Sequence, residues 1–169
     1  LYSGSYENGV VVAVWNKLYS RKIFDKLRFE GKLAEDDALN DKVNIKNYSI
    51  YIMEEQFYVY VQNSSSLTNA TFSVNKFFFL DVLAARQKSF FADEFIRQET
   101  ETLYCNLYIE YCLKARKNGL KIPDFTKYRR IFWYMFEQLC REKKCSLKFR
   151  IRMVIFALSP RLYELVTGQ

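Results

Sequence analysis

Three consecutive carboxylates, Glu35-Asp36-Asp37, are the residues of this chain whose types and spacing best suit chemistry. A carboxylate at hydrogen-bonding distance from a hydroxyl can take its proton, an effect worth about 100- to 10,000-fold in rate. Carboxylates also hold divalent cations such as Mg2+ and Mn2+. Adjacent like charges repel, so a folded site must hold the three or solvent must screen them. They stand where a helix should begin. Ala38, Leu39, Lys42 and Val43 follow at helical spacing, and acids in a first turn complement the positive end of the helix dipole. A solvated acidic helix start is therefore the plain alternative to a site.

Other chemistries are narrowed by composition. The chain has no histidine, which removes Ser-His and Cys-His nucleophile pairs, histidine general bases and histidine-containing zinc sites. The cysteines Cys105, Cys112, Cys140 and Cys145 include no C-x-x-C pair and are expected as reduced core thiols of a cytoplasmic protein. In that compartment the sequons Asn63-Ser64-Ser65 and Asn69-Ala70-Thr71 carry no meaning.

The elements that must position the acids are legible in outline. The 169 residues suffice for one domain with a core, and a half-hydrophobic composition rich in Phe and Tyr excludes disorder. No apolar run reaches bilayer length and no secretory signal opens the chain. A first residue of Leu rather than Met leads us to expect a start inside a longer protein.

Val10 to Val14 reads as a buried strand, and Ser20 as the cap of a short helix from Arg21 to about Leu27. The acid-headed helix runs from Glu35 to about Asn44. Tyr48 to Ile52 and Phe57 to Val61 read as strands, followed by a polar loop over Gln62 to Thr71.

From Ser73 the period becomes helical. One helix follows the Ser73 cap. A second runs from about Asp93 to Lys117 and stops at Asn118-Gly119. A third opens at Pro123-Asp124 and continues through Cys140. A fourth spans Lys148 to Leu158, and a short last one starts at Ser159-Pro160. The fold class expected is α+β, predominantly helical, with a mixed part over residues 1–72 and a helical part over residues 73–169.

The acids belong to an ordered series: Trp15-Asn16-Lys17-Leu18-Tyr19, Arg21-Lys22-Ile23-Phe24, Leu27-Arg28-Phe29, Gly31-Lys32, then Glu35-Asp36-Asp37. Tyr58-Val59-Tyr60 and Ser66-Leu67-Thr68-Asn69 continue it. In order and spacing the series resembles the acceptor-side half of bacterial family 2 glycosyltransferases over about residues 10 to 70.

The resemblance implies a GT-A-like nucleotide-sugar transferase fold for the first part, with a C-terminal helical bundle as an extension. It makes Asp36 the base that takes the acceptor hydroxyl's proton as the hydroxyl attacks the anomeric carbon with inversion. Glu35 would orient Asp36 or bind an acceptor hydroxyl, with Asp37 beside them. Asn16 and Lys17 would hydrogen-bond acceptor or diphosphate oxygens, while an exposed polar turn serves equally for Lys17. Trp15 would stack on an acceptor sugar or close the core at a strand end.

The leaving diphosphate would need Mg2+ or Mn2+, held by a D-x-D-like motif that residues 1–34 do not contain. The cation's ligands and the donor-binding half are therefore expected outside this sequence, and no metal ligand is assigned within it. Val61 stands where the family often has Arg after its Y-x-Y, so a phosphate contact there is not expected. Implied partners are a nucleotide-sugar donor and a glycan, lipid-linked or protein-linked acceptor, with bacterial surface polysaccharide or glycoconjugate synthesis at the inner membrane face.

The net charge of +7 is uneven. Lys114 to Arg152 holds 13 basic and 3 acidic residues, whereas residues 1–113 hold 12 basic and 15 acidic. Between Lys143 and Leu158 basic and apolar residues alternate in a way that suits an anionic membrane surface. A solvated basic face over residues packed on the preceding helices is the other reading. A basic helical module for nucleic acid, or a protein-interaction domain without catalysis, remains the alternative function. No helix-turn-helix or RNA-binding signature accompanies the basic residues, so nucleic acid is not the expected partner.

Overall fold

The computed structural model describes residues 13–29, 34–46, 49, 51, 55, 57, 59, 61, 71–143 and 145–167. Local capping chemistry explains where most of its helices start and stop. Helix α1 (Glu35–Asn44) begins after Ala34, whose backbone is left-handed at φ 65° and offers no side-chain cap. The three first-turn acids instead place negative charge near the positive end of the helix dipole.

Ser73 accepts from the Asn75 amide at 3.3 Å and starts a 3-10 turn, Val74–Phe77, that feeds α2 (Phe78–Ser89). Asp93 Oδ1 accepts from the Ile96 amide at 3.0 Å and caps α3 (Glu94–Lys117). At the other end of α3, Gly119 is left-handed at φ 62°. The Leu120 amide reaches Ala115 O at 2.8 Å and the Gly119 amide reaches Arg116 O at 3.0 Å, the paired bonds of a Schellman stop. Helix α4 spans Phe125–Arg141. Ser146 caps α5 (Leu147–Leu158) by accepting from the Phe149 amide at 3.2 Å, and Pro160 opens α6 (Pro160–Thr167).

Helix α3 lies against both α2 and α4, and α5 packs with α6. The main core is built largely of aromatic rings. Tyr108 stacks on Phe132 with centroids 4.9 Å apart, and Phe156 meets Tyr108 and Tyr163 edge-on. Such pairs add about 0.5–1.5 kcal/mol each beyond their area burial. Their hydroxyls are used too: Tyr104 donates to Tyr128 O at 3.3 Å, and Tyr128 donates to Asp81 Oδ2 at 3.2 Å. A second, small core joins Ile23, Leu39 and Val43, with Val14, Tyr19, Phe24 and Leu27 packed against it. It fastens the 3-10 turn Arg21–Asp25 to α1.

The expected strands are corrected. Among the described residues there is none, and the fold is a helical bundle, not a GT-A-like α+β arrangement. Ala13 and Val14 enter a turn rather than a strand, and Ser49, Tyr51, Phe57, Val59 and Val61 pair with nothing as strands. The other positions of Val10–Val14, Tyr48–Ile52 and Phe57–Val61 lie outside the described residues. Alternation specifies which side chains share a face, but a strand also needs a neighbour to take its backbone N–H and C=O groups. Among the described residues no such neighbour is in place, and Phe57, Val59 and Val61 are exposed. Ser20 precedes its 3-10 turn without a side-chain capping bond, and the turn stops at Asp25 rather than reaching Leu27.

Helix α5 buries Met153 and Phe156 and turns Leu147, Ile151, Val154 and Leu158 outward. The outward set recurs at i, i+4, i+7 and i+11, one stripe of a helix. No helix among the described residues is long and apolar enough to cross a membrane.

One carboxyl is sealed inside the bundle. Glu101 is fully buried and accepts from Gln87 Nε2 at 3.0 Å, while its second oxygen has no hydrogen-bond partner. Burial pushes this carboxyl above its ordinary 4.5 against the pull of Gln87 and Arg97. The native state therefore holds the proton more tightly than the unfolded chain. Stability from this group is complete below pH 4.5 and is lost as pH rises through the raised folded value. Thermal melts should show wild type losing stability relative to Glu101→Gln as pH is raised from 4.5 toward neutrality. Parallel pH profiles for the two proteins would contradict this.

Candidate functional site

The acidic triplet divides its three carboxylates among three surroundings. Glu35 is exposed. Asp37 points to the bundle, where Arg86 Nη2 meets its Oδ1 at 2.8 Å. The same guanidinium donates from Nε to both oxygens of Asp41 at 2.9 Å. Asp37 and Asp41 are four residues apart and so share one face of α1. The side chains of Arg86, Asp41 and Asp37 are 7%, 9% and 21% exposed.

Burial lowers the Arg86 guanidinium's affinity for its proton, but Asp41 and then Asp37 outweigh it and the net shift is upward. Asp37 is also shifted up. Its burial outweighs the pull of Arg86, and the charge of Asp36 adds to the rise.

Asp36 faces the other way, toward the turn that carries Trp15, Asn16 and Lys17. Its Oδ2 accepts from the Val14 amide at 3.3 Å, at the long end of the hydrogen-bond range. Its backbone carbonyl accepts from Asn40 Nδ2 at 2.9 Å, and Tyr19 OH donates to Asn40 Oδ1 at 3.4 Å. Burial lowers the Lys17 ammonium, with Asp36 opposing, whereas burial and then Asp36 raise the Tyr19 phenol. Asp36 is thus electrically coupled to both side chains across the turn.

Lys17 Nζ donates to Asn16 Oδ1 at 3.0 Å and to Ala13 O. Trp15 is 42% exposed, and the side chains packed on the small core beneath are Val14, Tyr19, Phe24 and Leu27. The structure therefore brings Asp36 together with the Trp15–Lys17 turn, assigns Asp37 to the bundle and leaves Glu35 on the surface. Tyr58, Tyr60, Ser66 and Asn69 lie outside the described residues.

Sequence reasoning passed over Arg86, Asp41, Tyr19 and Asn40. Arg86 carried a signal: it falls on the buried side of a helix with Leu83 and Gln87, where an unpaired charge would be costly. Asp41 could then have been matched to Asp37 by its i, i+4 spacing. Among the described residues no group of three His, Cys, Asp or Glu side chains could hold a metal ion. Asp37 and Asp41 already share a cation in Arg86. The site as described does not fit a divalent metal.

An acidic helix start clamped to a helical bundle defines no fold family by itself: neither a protein-family model nor a solved structure matches the chain. Over 59 residues it is 36% identical to Glycosyltransferase GlyA of Streptococcus pneumoniae serotype 4. The aligned segment is 34% of this chain and only 8% of that protein's length.

Removing Arg86 takes away the guanidinium that half-buried Asp37 and buried Asp41 share. Arg86→Met should cost about 3–5 kcal/mol in urea denaturation, and adding Asp37→Asn and Asp41→Asn should recover a large part of it. A loss below about 1 kcal/mol, the range of an exposed pair, would show that the cluster does not anchor α1.

Proposed function

We propose that this chain is the acceptor-side and helical portion of a family 2 nucleotide-sugar glycosyltransferase, inverting in mechanism. The observation that carries the reading is the ordered series from Trp15 to Asp37, in a chain with a 59-residue likeness to a protein named a glycosyltransferase. The orientation of Asp36 supports it. Of the three acids, this one faces the polar, half-exposed turn, and its neighbour is occupied by Arg86.

In this reading the Val14 amide holds Asp36 Oδ2 and Oδ1 accepts the proton of the attacking acceptor hydroxyl. The oxygen so activated bonds to the anomeric carbon as the nucleoside diphosphate leaves from the opposite face. Trp15 offers a flat apolar surface to a sugar ring, and Asn16 and Lys17 offer donors to acceptor or diphosphate oxygens. Glu35 binds an acceptor hydroxyl. Asp37 acts through position, holding the helix start to the bundle by way of Arg86. The donor site and any Mg2+ or Mn2+ ligands belong to sequence outside this chain, and no step here runs through a metal. The acceptor is a glycan or a lipid-linked or protein-linked sugar, met in the cytoplasm or at the inner face of the membrane.

Residues 1–169 alone should turn over no nucleotide sugar. In a protein that carries this sequence together with a donor-binding half, Asp36→Asn should lower turnover by about a hundredfold or more while donor binding is kept. Full activity of Asp36→Asn beside a dead Glu35→Gln would move the base to Glu35. Absence of turnover with every nucleotide sugar tried would remove the transferase reading.

The outward stripe of α5, with exposed Lys148 beside it, favours an anionic surface as the place of work. The chain should pellet with vesicles containing anionic lipid, not with neutral ones, and salt should release it. Ile151→Glu with Lys148→Glu should abolish the pelleting; equal, negligible pelleting with both vesicle types would count against a membrane contact.

A further inference from the structure

The four thiols fall into two kinds. Cys105 and Cys112 are buried within α3, whereas Cys140, at the end of α4, and Cys145, just before α5, are partly exposed. The turn between α4 and α5 doubles back through Lys143, whose φ is 55°, and sets the Cys140 and Cys145 sulfurs 3.7 Å apart. Arg150 braces both ends of that turn. Its Nε donates to Cys145 Sγ at 3.2 Å and its Nη2 to Cys140 O at 3.4 Å.

We propose that Cys140 and Cys145 are a thiol-modification site: a dithiol that a small-molecule disulfide of the glutathione type converts to an intramolecular disulfide. A disulfide bond is about 2.05 Å long, so closure from 3.7 Å needs an approach of about 1.6 Å, within reach of side-chain rotation. The inference does not depend on the transferase reading.

The two sulfurs take different parts. Burial, and then the neighbouring Cys145, push the Cys140 thiol up to about 11, with Arg150 pulling the other way, so Cys140 keeps its proton at neutral pH. Cys145 is the sulfur that the Arg150 guanidinium touches, at 3.2 Å, and it takes the first attack. Lys143, exposed on the same turn, adds positive charge that draws in an anionic disulfide.

Cys145 as thiolate attacks one sulfur of the small disulfide, forming a mixed disulfide and releasing one small thiolate. That thiolate takes up a proton. Cys140 then gives up its proton to solvent, and its sulfur attacks the Cys145 sulfur and expels the second small thiolate. Two protein thiols are oxidised to one disulfide, and the small disulfide is reduced to two thiols. Cys105 and Cys112 stand aside, because burial pushes the Cys105 thiol well above its ordinary value and the Cys112 thiol up to about 12.

The test is to incubate the folded chain with oxidised glutathione, block the remaining thiols with iodoacetamide after unfolding, and map the tryptic peptides by mass. The expected result is loss of two of the four thiols. A cross-linked peptide pair should hold Cys140 and Cys145, while Cys105 and Cys112 carry the blocking group. With Cys140→Ser the mixed disulfide on Cys145 should persist, because nothing resolves it; with Cys145→Ser neither product should form. In the wild-type chain, Cys140 and Cys145 recovered as blocked thiols alongside the other two would overturn the proposal. So would glutathione that stays on Cys145 without passing to Cys140.

Discussion

Among the described residues, a buried guanidinium joins the two cores of this molecule. Arg86 extends from α2, one of the bundle's helices, and lies between Asp37 and Asp41 of α1, the helix that shares the small core. Taking three charges out of water is expensive, and their mutual attraction repays it only when geometry is good. Here the guanidinium presents its donors at 2.8–2.9 Å to carboxylates spaced one helical turn apart. Two apolar surfaces could slide against each other at small cost. A forked cation between two carboxylates fixes the rotation of α1, and with it the direction in which Asp36 points.

That constraint turns a run of like charges into three separate environments. Asp37 is balanced by Arg86, so its charge weighs less on Asp36 than bare adjacency would suggest. Glu35 is screened by water. Asp36 is left with the Val14 amide and the turn beyond it, close enough that Lys17 and Tyr19 both feel its charge. The left-handed Ala34 just before the triplet, a conformation costly for any residue with a Cβ, is where the chain enters this arrangement. Helix α1 therefore serves both fold and site: one face binds the bundle, and the first turn displays an acid to the half-exposed turn.

The bundle is less uniform than its aromatic content suggests. Rings of α3, α4, α5 and α6 meet in one cluster, but a polar seam runs beside them. Gln87 holds Glu101, and Arg97 pairs with Glu142 at the start of the α4–α5 turn. That turn also holds Arg150 with the two partly exposed cysteines. The connections of α3 through α5 are thus tied by specific polar contacts as well as by packing, which limits the ways the helices can be stacked.

Much of the bundle was legible from residues alone, because caps and stops act within a few positions along the chain. Ser73 and Asp93 accept from amides two or three residues on, and Asn118-Gly119 ends α3 where Gly can take a left-handed backbone; these three boundaries are local chemistry, as is the Ser146 cap that sequence reading passed over. The helix at Glu35–Asn44, which has no side-chain cap, was legible from its apolar spacing and its first-turn acids. The strands were not: alternation at Phe57–Val61 describes a face, and whether that face finds a partner depends on distant chain. The roles of the acids were not legible either. Which of Glu35, Asp36 and Asp37 faces solvent, turn or bundle is decided by Arg86, 49 residues from Asp37 along the chain. The Cys140–Cys145 approach likewise required the α4–α5 turn to fold back, with a guanidinium reaching across it. Sequence determined the residue types and the helices that carry them. Only tertiary structure decided which charges meet, because Coulomb and hydrogen-bond energies depend on distances of a few ångströms between residues far apart in the chain.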